Sequence, residues 1–403
     1  MSTAVTFITG FVITKVVAVK IGPAGMAYVG QFQNTTAILA MGGMAAISSG
    51  VIKYLAEYRY DKDKQQQVVT TAITIILCAS FLVSLFVILC SGRLAGSIFH
   101  SDGLGIVFLM YGIFLTVISL NTFTLAVLNG LKEIRKLTVI NICTSLIGLG
   151  FTLSFAKIWG LKGVLMAATF AALVIFIINI VTLRRVADIR FRPDFKRWNK
   201  QIVRMLFAFS LMSVVSVLCG QLTQFSIRSY IIGHFSDEQA GYWQAVTRIS
   251  DYYLGFITTV LSVYYLPKLS EIQHKQQLKQ EIVRGYRLIL PSAGMLALVI
   301  WFSKGLIVHL LFTPAFQPML PLFKYQLIGD FLKIGSWLLA YLMLSKAMVK
   351  TFIITEVLFS FSFVALSYWL MSNHGIIGAT YSFAINYGVY WALMGVLMRK
   401  HFR

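Results

Sequence analysis

The chain has 403 residues, of which 58% are hydrophobic and 12% charged, with a formal net charge of +21. So apolar a composition, with seven Pro and four Cys, excludes a disordered chain, a disulfide-stapled secreted domain and an ordinary soluble enzyme, and reads as a polytopic membrane protein. The positive charge does not mark a nucleic-acid binder, because its placement along the chain assigns it to membrane topology.

A helix needs about 20 mainly apolar residues to cross roughly 30 Å of hydrocarbon. Twelve such segments are predicted, near 3 to 21, 27 to 51, 68 to 90, 104 to 128, 137 to 156, 163 to 183, 205 to 233, 240 to 267, 287 to 303, 322 to 345, 351 to 371 and 376 to 398. The start, MSTAVTFITGF, has no basic n-region and no small-residue cleavage site, so the first span is expected to stay in the protein rather than to be cleaved as a signal peptide. That span carries Lys15 and ends at Lys20, and a lysine so near a helix end can reach the interface. Gln31 and Asn34 in the second span, and Asn121, Asn129 and Asn141 further on, either line a polar cavity or hydrogen-bond between helices.

After the sixth span comes the most basic loop, RRVADIRFRPDFKRWNKQIVR. It divides the chain into an N-terminal six-helix bundle (1–183), a basic cytoplasmic linker (184–204) and a C-terminal six-helix bundle (205–403). Weak internal likeness supports a duplication: KVVAVKIGPAGMAY from Lys15 parallels RSYIIGHFSDEQAGYW from Arg228, and Glu57 matches Glu271 at an offset of 214. Six spans per half make the repeats parallel, related by an axis along the membrane normal.

The second half holds most of the interior polarity. The seventh span has a loose stripe of Ser213, Ser216, Gly220, Gln224 and Arg228. In the eighth, Gln244, Arg248, Asp251 and Gly255 recur at i, i+4, i+7 and i+11, one face of a helix. The tenth repeats the spacing with Gln326, Asp330, Lys333, Trp337 and Tyr341. At 1.5 Å per residue these charges sit about 8 to 16 Å in from the helix ends, a belt in the outer half of the membrane. Lys15, Arg228, Arg248 and Lys333 against Asp251 and Asp330 leave that belt at +2. Two readings remain: (i, i+3) ion pairs Arg248–Asp251 and Asp330–Lys333 that fix helix contacts, or a cavity that receives an anionic group. Glu356, near a helix end, lies within reach of Lys346 and Lys350.

Loops 53–67, 129–136, 184–204, 268–287 and 346–350 with the tail from 399 hold 25 of the 35 Lys and Arg, against Arg93, Lys157, Lys162 and Lys304 on the opposite side. This bias places both termini in the cytoplasm, with affinity for anionic membrane lipid. The cysteines fall inside spans without a CxxC and read as small buried residues. No GxxxxGK[ST] is present to hydrolyse a nucleotide, no HExxH or clustered ligand set forms a metal site, and no catalytic residue or cofactor is assigned.

The segments QAVTRISDYYLGFITTVLSVYYLPKLSEI (244–272), QLIGDFLKIGSWLLAYLMLSKA (326–347) and IGPAGMAYVGQF (21–32) resemble the Wzx-type flippases of enteric bacteria, in the superfamily that also holds multidrug and toxin extruders and the lipid II flippase. The likeness spans nearly the whole chain and is closest to the branch that moves the enterobacterial common antigen unit, with O-antigen flippases near it. It implies an all-α fold of twelve transmembrane helices in two six-helix bundles with pseudo-two-fold symmetry, and export of an undecaprenyl-diphosphate-linked oligosaccharide across the inner membrane by alternating access without ATP. A polymerase and its chain-length machinery would be downstream partners. Arg248, Asp251, Asp330 and Lys333 lie in the matching segments and carry over as cavity residues. The expectation is therefore a diphosphate held by Arg248, Lys333, Arg228 and Lys15, with Asp251 and Asp330 as charge network or as H⁺ or Na⁺ coupling groups, and Gln244, Gln224, Gln326, Gln31 and Asn34 lining the cavity. A cation-coupled small-molecule exporter and a glycan polymerase or ligase are the alternatives; net positive charge disfavours the first and the short extracytoplasmic loops the second.

Overall fold

A computed structural model describes residues 2–99, 102–184, 199–346 and 348–402. The basic loop proposed as a linker lies largely outside the described residues. Every regular element among them is helical: α1 Ser2–Gly43, α2 Ser48–Glu57, α3 Lys62–Leu89, α4 Ser91–Phe99, α5 Gly105–Gly130, α6 Ile134–Arg184, α7 Lys200–His234, α8 Asp237–Val260, α9 Leu266–Glu271, α10 Lys275–Leu311, α11 Phe323–Ser345, α12 Val349–His374 and α13 Ile377–Phe402, with short 3₁₀ and π segments between them. Helices satisfy all their backbone groups internally, which hydrocarbon demands.

Eight of the described helical stretches are long and apolar enough to cross a membrane. Two of these, α1 and α6, are each two helices joined at a bend, at Gly22 (φ 75°) and Gly160 (φ 55°). With α8 and α13, which have the length, they account for the twelve predicted spans. The chain is a multi-pass membrane protein.

The bends repeat between the halves. Gly375, between α12 and α13, has φ 64° and ψ −158°, close to the φ 55° and ψ −128° of Gly160. Only glycine takes this region of backbone space without strain. Three residues beyond each, at Gly163 and Gly378, a Cβ would fall on the backbone eight residues earlier, at Phe155 and Leu370 respectively. The second span of each half is also interrupted before its C-terminal end. The first breaks at Met44–Ile47, with Ala45 and Ala46 in the left-handed region, and then resumes as α2. Its counterpart, α8, passes through a π-helical turn at Leu261–Tyr265 before α9. Glu57 ends α2 and Glu271 ends α9, so the offset of 214 is kept in three dimensions.

The chain forms two compact units, Met1–Ile21 with Tyr28–Gln221, and Gly22–Ala27 with Leu222–Arg403. Their division falls inside α7, at Gln221. The first half of α7 belongs with the first unit because Leu206 joins a core with Leu55, Val69, Ile76 and Val127, and the Ser210 hydroxyl accepts the Gly50 N–H at 3.1 Å. The second half packs Ile227 and Ile231 against Ala27, Trp243, Phe363 and Phe383. At the entry to α3, the Lys64 backbone N–H donates to Asp61 at 3.0 Å and holds that carboxyl below its usual range.

Placing Val at Gly163 or Gly378 forces a branched side chain into backbone. Each substitution is expected to lower stability by about 1–3 kcal/mol or more, read as a reduced thermal midpoint of the detergent-solubilised protein, whereas Gly148→Ala, where a Cβ meets nothing within 4 Å, should leave it unchanged.

Candidate functional site

The interior charges of the second unit are positioned by α7, α8 and α11. α8 starts cleanly: the Ser236 hydroxyl accepts the Gln239 N–H at 3.2 Å, and Asp237 and Glu238 in the first turn complement the helix dipole. From there the helical period carries Trp243, Thr247, Ser250, Asp251 and Leu254 to one side of the helix. They meet Gln224 of α7, Gln326, Asp330 and Lys333 of α11, and Phe363 and Phe383 of α12 and α13 around one small cavity. Its volume is about 20 Å³, room for on the order of one water.

Asp330 is 0% exposed. A carboxylate taken out of water costs several kcal/mol unless donors replace its hydration, roughly. Three donors do so: Ser250 Oγ donates to Oδ2 at 2.6 Å, the Tyr253 hydroxyl donates to the same oxygen, and Gln326 Nε2 donates to Oδ1 at 3.3 Å. Both hydroxyls come from α8, so the carboxylate ties α11 to α8.

Lys333, one turn beyond Asp330, solves the same problem differently. Its Nζ stands 4.9 Å from the ring centroid of Trp337, 5.2 Å from Tyr387 and 5.5 Å from Phe383. Ring faces attract a desolvated ammonium by about 2 kcal/mol in favourable cases. The (i, i+3) ion pair between Asp330 and Lys333, one of the alternatives raised by the spacing, does not form among the described residues.

Arg228 is 2% exposed; its Nη2 donates to Gln244 Oε1, and its guanidinium carbon lies 5.5 Å from the Trp243 ring. Arg248 is half-buried, and Asp251 is exposed at the cavity wall.

The structure thus gathers Gln224, Asp251, Gln326, Asp330 and Lys333 around the cavity with Gln244 beside it, and joins Arg228 to Gln244. Of the remaining predicted residues, Arg248 belongs to the second unit and Lys15, Gln31 and Asn34 to the first. Lys15 is exposed on α1 and Gln31 is buried. Asn34 Nδ2 donates to Gln221 Oε1 at 2.6 Å. Asn121 donates to the Ala172 carbonyl and accepts from Asn179, both at 2.8 Å, an interhelical bond of the kind foreseen. The seventh-span stripe is shared out: Ser213 meets the Ser49 hydroxyl at 2.9 Å in the first unit, while Gln224 and Arg228 serve the second.

Sequence spacing did not single out Ser250, Tyr253, Phe383 or Tyr387. Ser250 and Tyr253 lie at (i, i+3), off the charged stripe of α8, and Phe383 and Tyr387 at (i, i+4) of α13, which carries no interior charge to draw attention to them.

The family model described as "Polysaccharide biosynthesis protein" matches residues 1–273. The chain is 30% identical over 397 residues to the lipid III flippases of Escherichia coli (strain K12) and of Shigella flexneri, covering 97% of this chain and 94% of each of those. Among solved structures it is similar to an inward-facing multidrug resistance MATE family transporter of the MOP superfamily, with a TM-score of 0.81 and 14% identity over 98% of this chain and 94% of that one. An outward-facing MATE family transporter gives a TM-score of 0.71 and 15% identity over 100% and 95% of the two chains. These structural likenesses establish a shared fold.

Tyr253→Phe removes one donor from the buried carboxylate while keeping the ring. A loss of about 1.5–3 kcal/mol is expected, the range for a hydrogen bond to a charged group. Thermal melting of the purified protein checks it, and adding Asp330→Asn should make the two losses less than additive.

Proposed function

The chain belongs to the polysaccharide biosynthesis protein family, and on that premise we propose that it is a flippase that moves a lipid-linked oligosaccharide across the bacterial cytoplasmic membrane by alternating access. The observation that carries this reading is similarity to lipid III flippases along essentially the whole chain. The substrate would be an undecaprenyl-diphosphate-linked repeat unit of enterobacterial common antigen or O-antigen type. The chain is read as a transporter and not as an enzyme.

Charge supplies the physical support. A diphosphate diester brings about two negative charges, and an uncompensated ion inside a membrane is costly. Arg248 is the residue proposed to meet it first, being half-buried where Arg228 is enclosed; a guanidinium offers forked donors to phosphate oxygens. Arg228, held by Gln244 and Trp243, would add field at the same end of α8. Lys15, exposed on α1, is proposed as a further phosphate contact. The three-ring cage around Lys333, and a cavity far too small for a diphosphate, favour for that lysine a role inside the second unit. Asp251 and Asp330 are the proposed coupling groups, for H⁺ or Na⁺.

The Lys and Arg bias of the loops supports cytoplasmic termini, and basic residues there would contact anionic lipid. The flipped product is the proposed substrate of an extracytoplasmic polymerase and its chain-length machinery; nucleic acid has no part.

The test is the leaflet in which lipid-linked oligosaccharide accumulates in a deletion strain. Accumulation on the cytoplasmic face, relieved by the wild-type chain, is expected. Arg248→Ala should cut export about tenfold or more, as loss of about 1.5–3 kcal/mol implies, with Arg248→Lys intermediate. Full export by Arg248→Ala at normal protein levels would remove the assignment of that arginine, and absence of accumulation would remove the flippase reading itself.

A further inference from the structure

The cavity between α8 and α11 has the walls of a hard-cation site. Asp251 and Asp330 contribute carboxylates, Gln224 and Gln326 amides, and Thr247 and Ser250 hydroxyls. Oxygen donors of these kinds are what a poorly polarisable metal cation takes in place of water, and the space suits an occupant the size of one water molecule. Two carboxylates on one small cavity in a membrane also require positive charge close by.

That charge is already attached to the chain. Lys333 lines the same cavity from the turn after Asp330. Its ammonium is fixed between Trp337, four residues along the same helix, and Phe383 and Tyr387, on successive turns of α13. The fixing is firm, because α11 and α13 are the most extensively packed pair of helices in the second unit. The rings hold the cation without using any carboxylate oxygen, so its field acts on both acids while Asp330 keeps its hydroxyl and amide donors. A metal cation entering the cavity would face that ammonium across a few ångströms of low-dielectric interior, with Arg228 and Arg248 as further positive neighbours.

We propose that the Lys333 ammonium is the resident cation of this cavity, a tethered substitute for a bound metal ion, so that the second unit balances Asp251 and Asp330 without Na⁺. This deepens the coupling part of the flippase reading and, for its consequence in transport, rests on it: Na⁺ would not be the coupling ion at these acids.

The experiment compares thermal melting of the purified full chain in NaCl and in choline chloride at equal ionic strength. The wild-type protein should show the same midpoint in both. Lys333→Gln, which empties the cage and leaves the oxygens, should gain a saturable, Na⁺-specific rise of about 3 °C or more, abolished when Asp330→Asn is added; Lys333→Arg should behave as the wild type. A Na⁺-specific rise in the wild-type protein overturns the proposal, as does a folded Lys333→Gln indifferent to Na⁺. If Lys333→Gln cannot be purified in either salt, Lys333→Arg decides: a folded, Na⁺-indifferent protein supports the tethered cation, and an unfolded one overturns it. No arm measures lipid transport, so the flippase reading stands or falls separately on the leaflet assay.

Discussion

An ion inside a bilayer must find in its neighbours what water would have supplied, and the second unit is arranged around that requirement. Asp330 meets it with hydroxyls from α8 and an amide from its own helix. Those bonds set the register of α11 against α8. Once that register is set, Lys333 is carried one turn further on, to where α13 presents Tyr387 and Phe383. Arg228, on α7, is met separately by Gln244 and Trp243 of α8. Asp330 and Lys333 are thus contacted by neutral donors and ring faces and not by each other. That is a sensible solution for a moving protein, because a closed ion pair would be costly to open in hydrocarbon.

The duplicated backbone supplies the frame for this chemistry in the second half and a different filling in the first. Gly160 and Gly375 turn the chain in the same left-handed conformation, and Gly163 and Gly378 then let the next helix lie directly on the one before. The second spans are both interrupted, by two left-handed alanines in one half and by a π-helical turn in the other. A π turn inserts a residue into the helical hydrogen-bond ladder and is frequent near functional sites. In the first unit the corresponding interior is held by neutral amides such as Asn34 with Gln221 and Asn121 with Asn179. Polar bonds of that kind fix helix contacts without placing a net charge in the membrane.

Much of this architecture was legible in the sequence because it is local. Twenty-residue apolar runs and the 3.6-residue period are properties of short stretches, so the spans and the polar faces of α8 and α11 follow from reading along the chain. The bias of Lys and Arg among the loops is likewise a property of the chain alone. Where the compact units divide is not: the basic loop is the obvious seam, yet the first half of α7 belongs with α2 and α3, because Leu206 and Ser210 fit there.

The sequence by itself determined that this is a twelve-span membrane protein with ions on the inner faces of α7, α8 and α11. Only the tertiary structure decided what each ion touches. Spacing along α11 allowed Asp330 and Lys333 to pair with each other; packing instead gave Asp330 to Ser250 and Tyr253, 80 and 77 residues away, and gave Lys333 to the rings of α13. The reason is that a helical period specifies the face a side chain is on, whereas its partner depends on the distance and rotation of the neighbouring helices, which are set by the packing of many apolar residues at once.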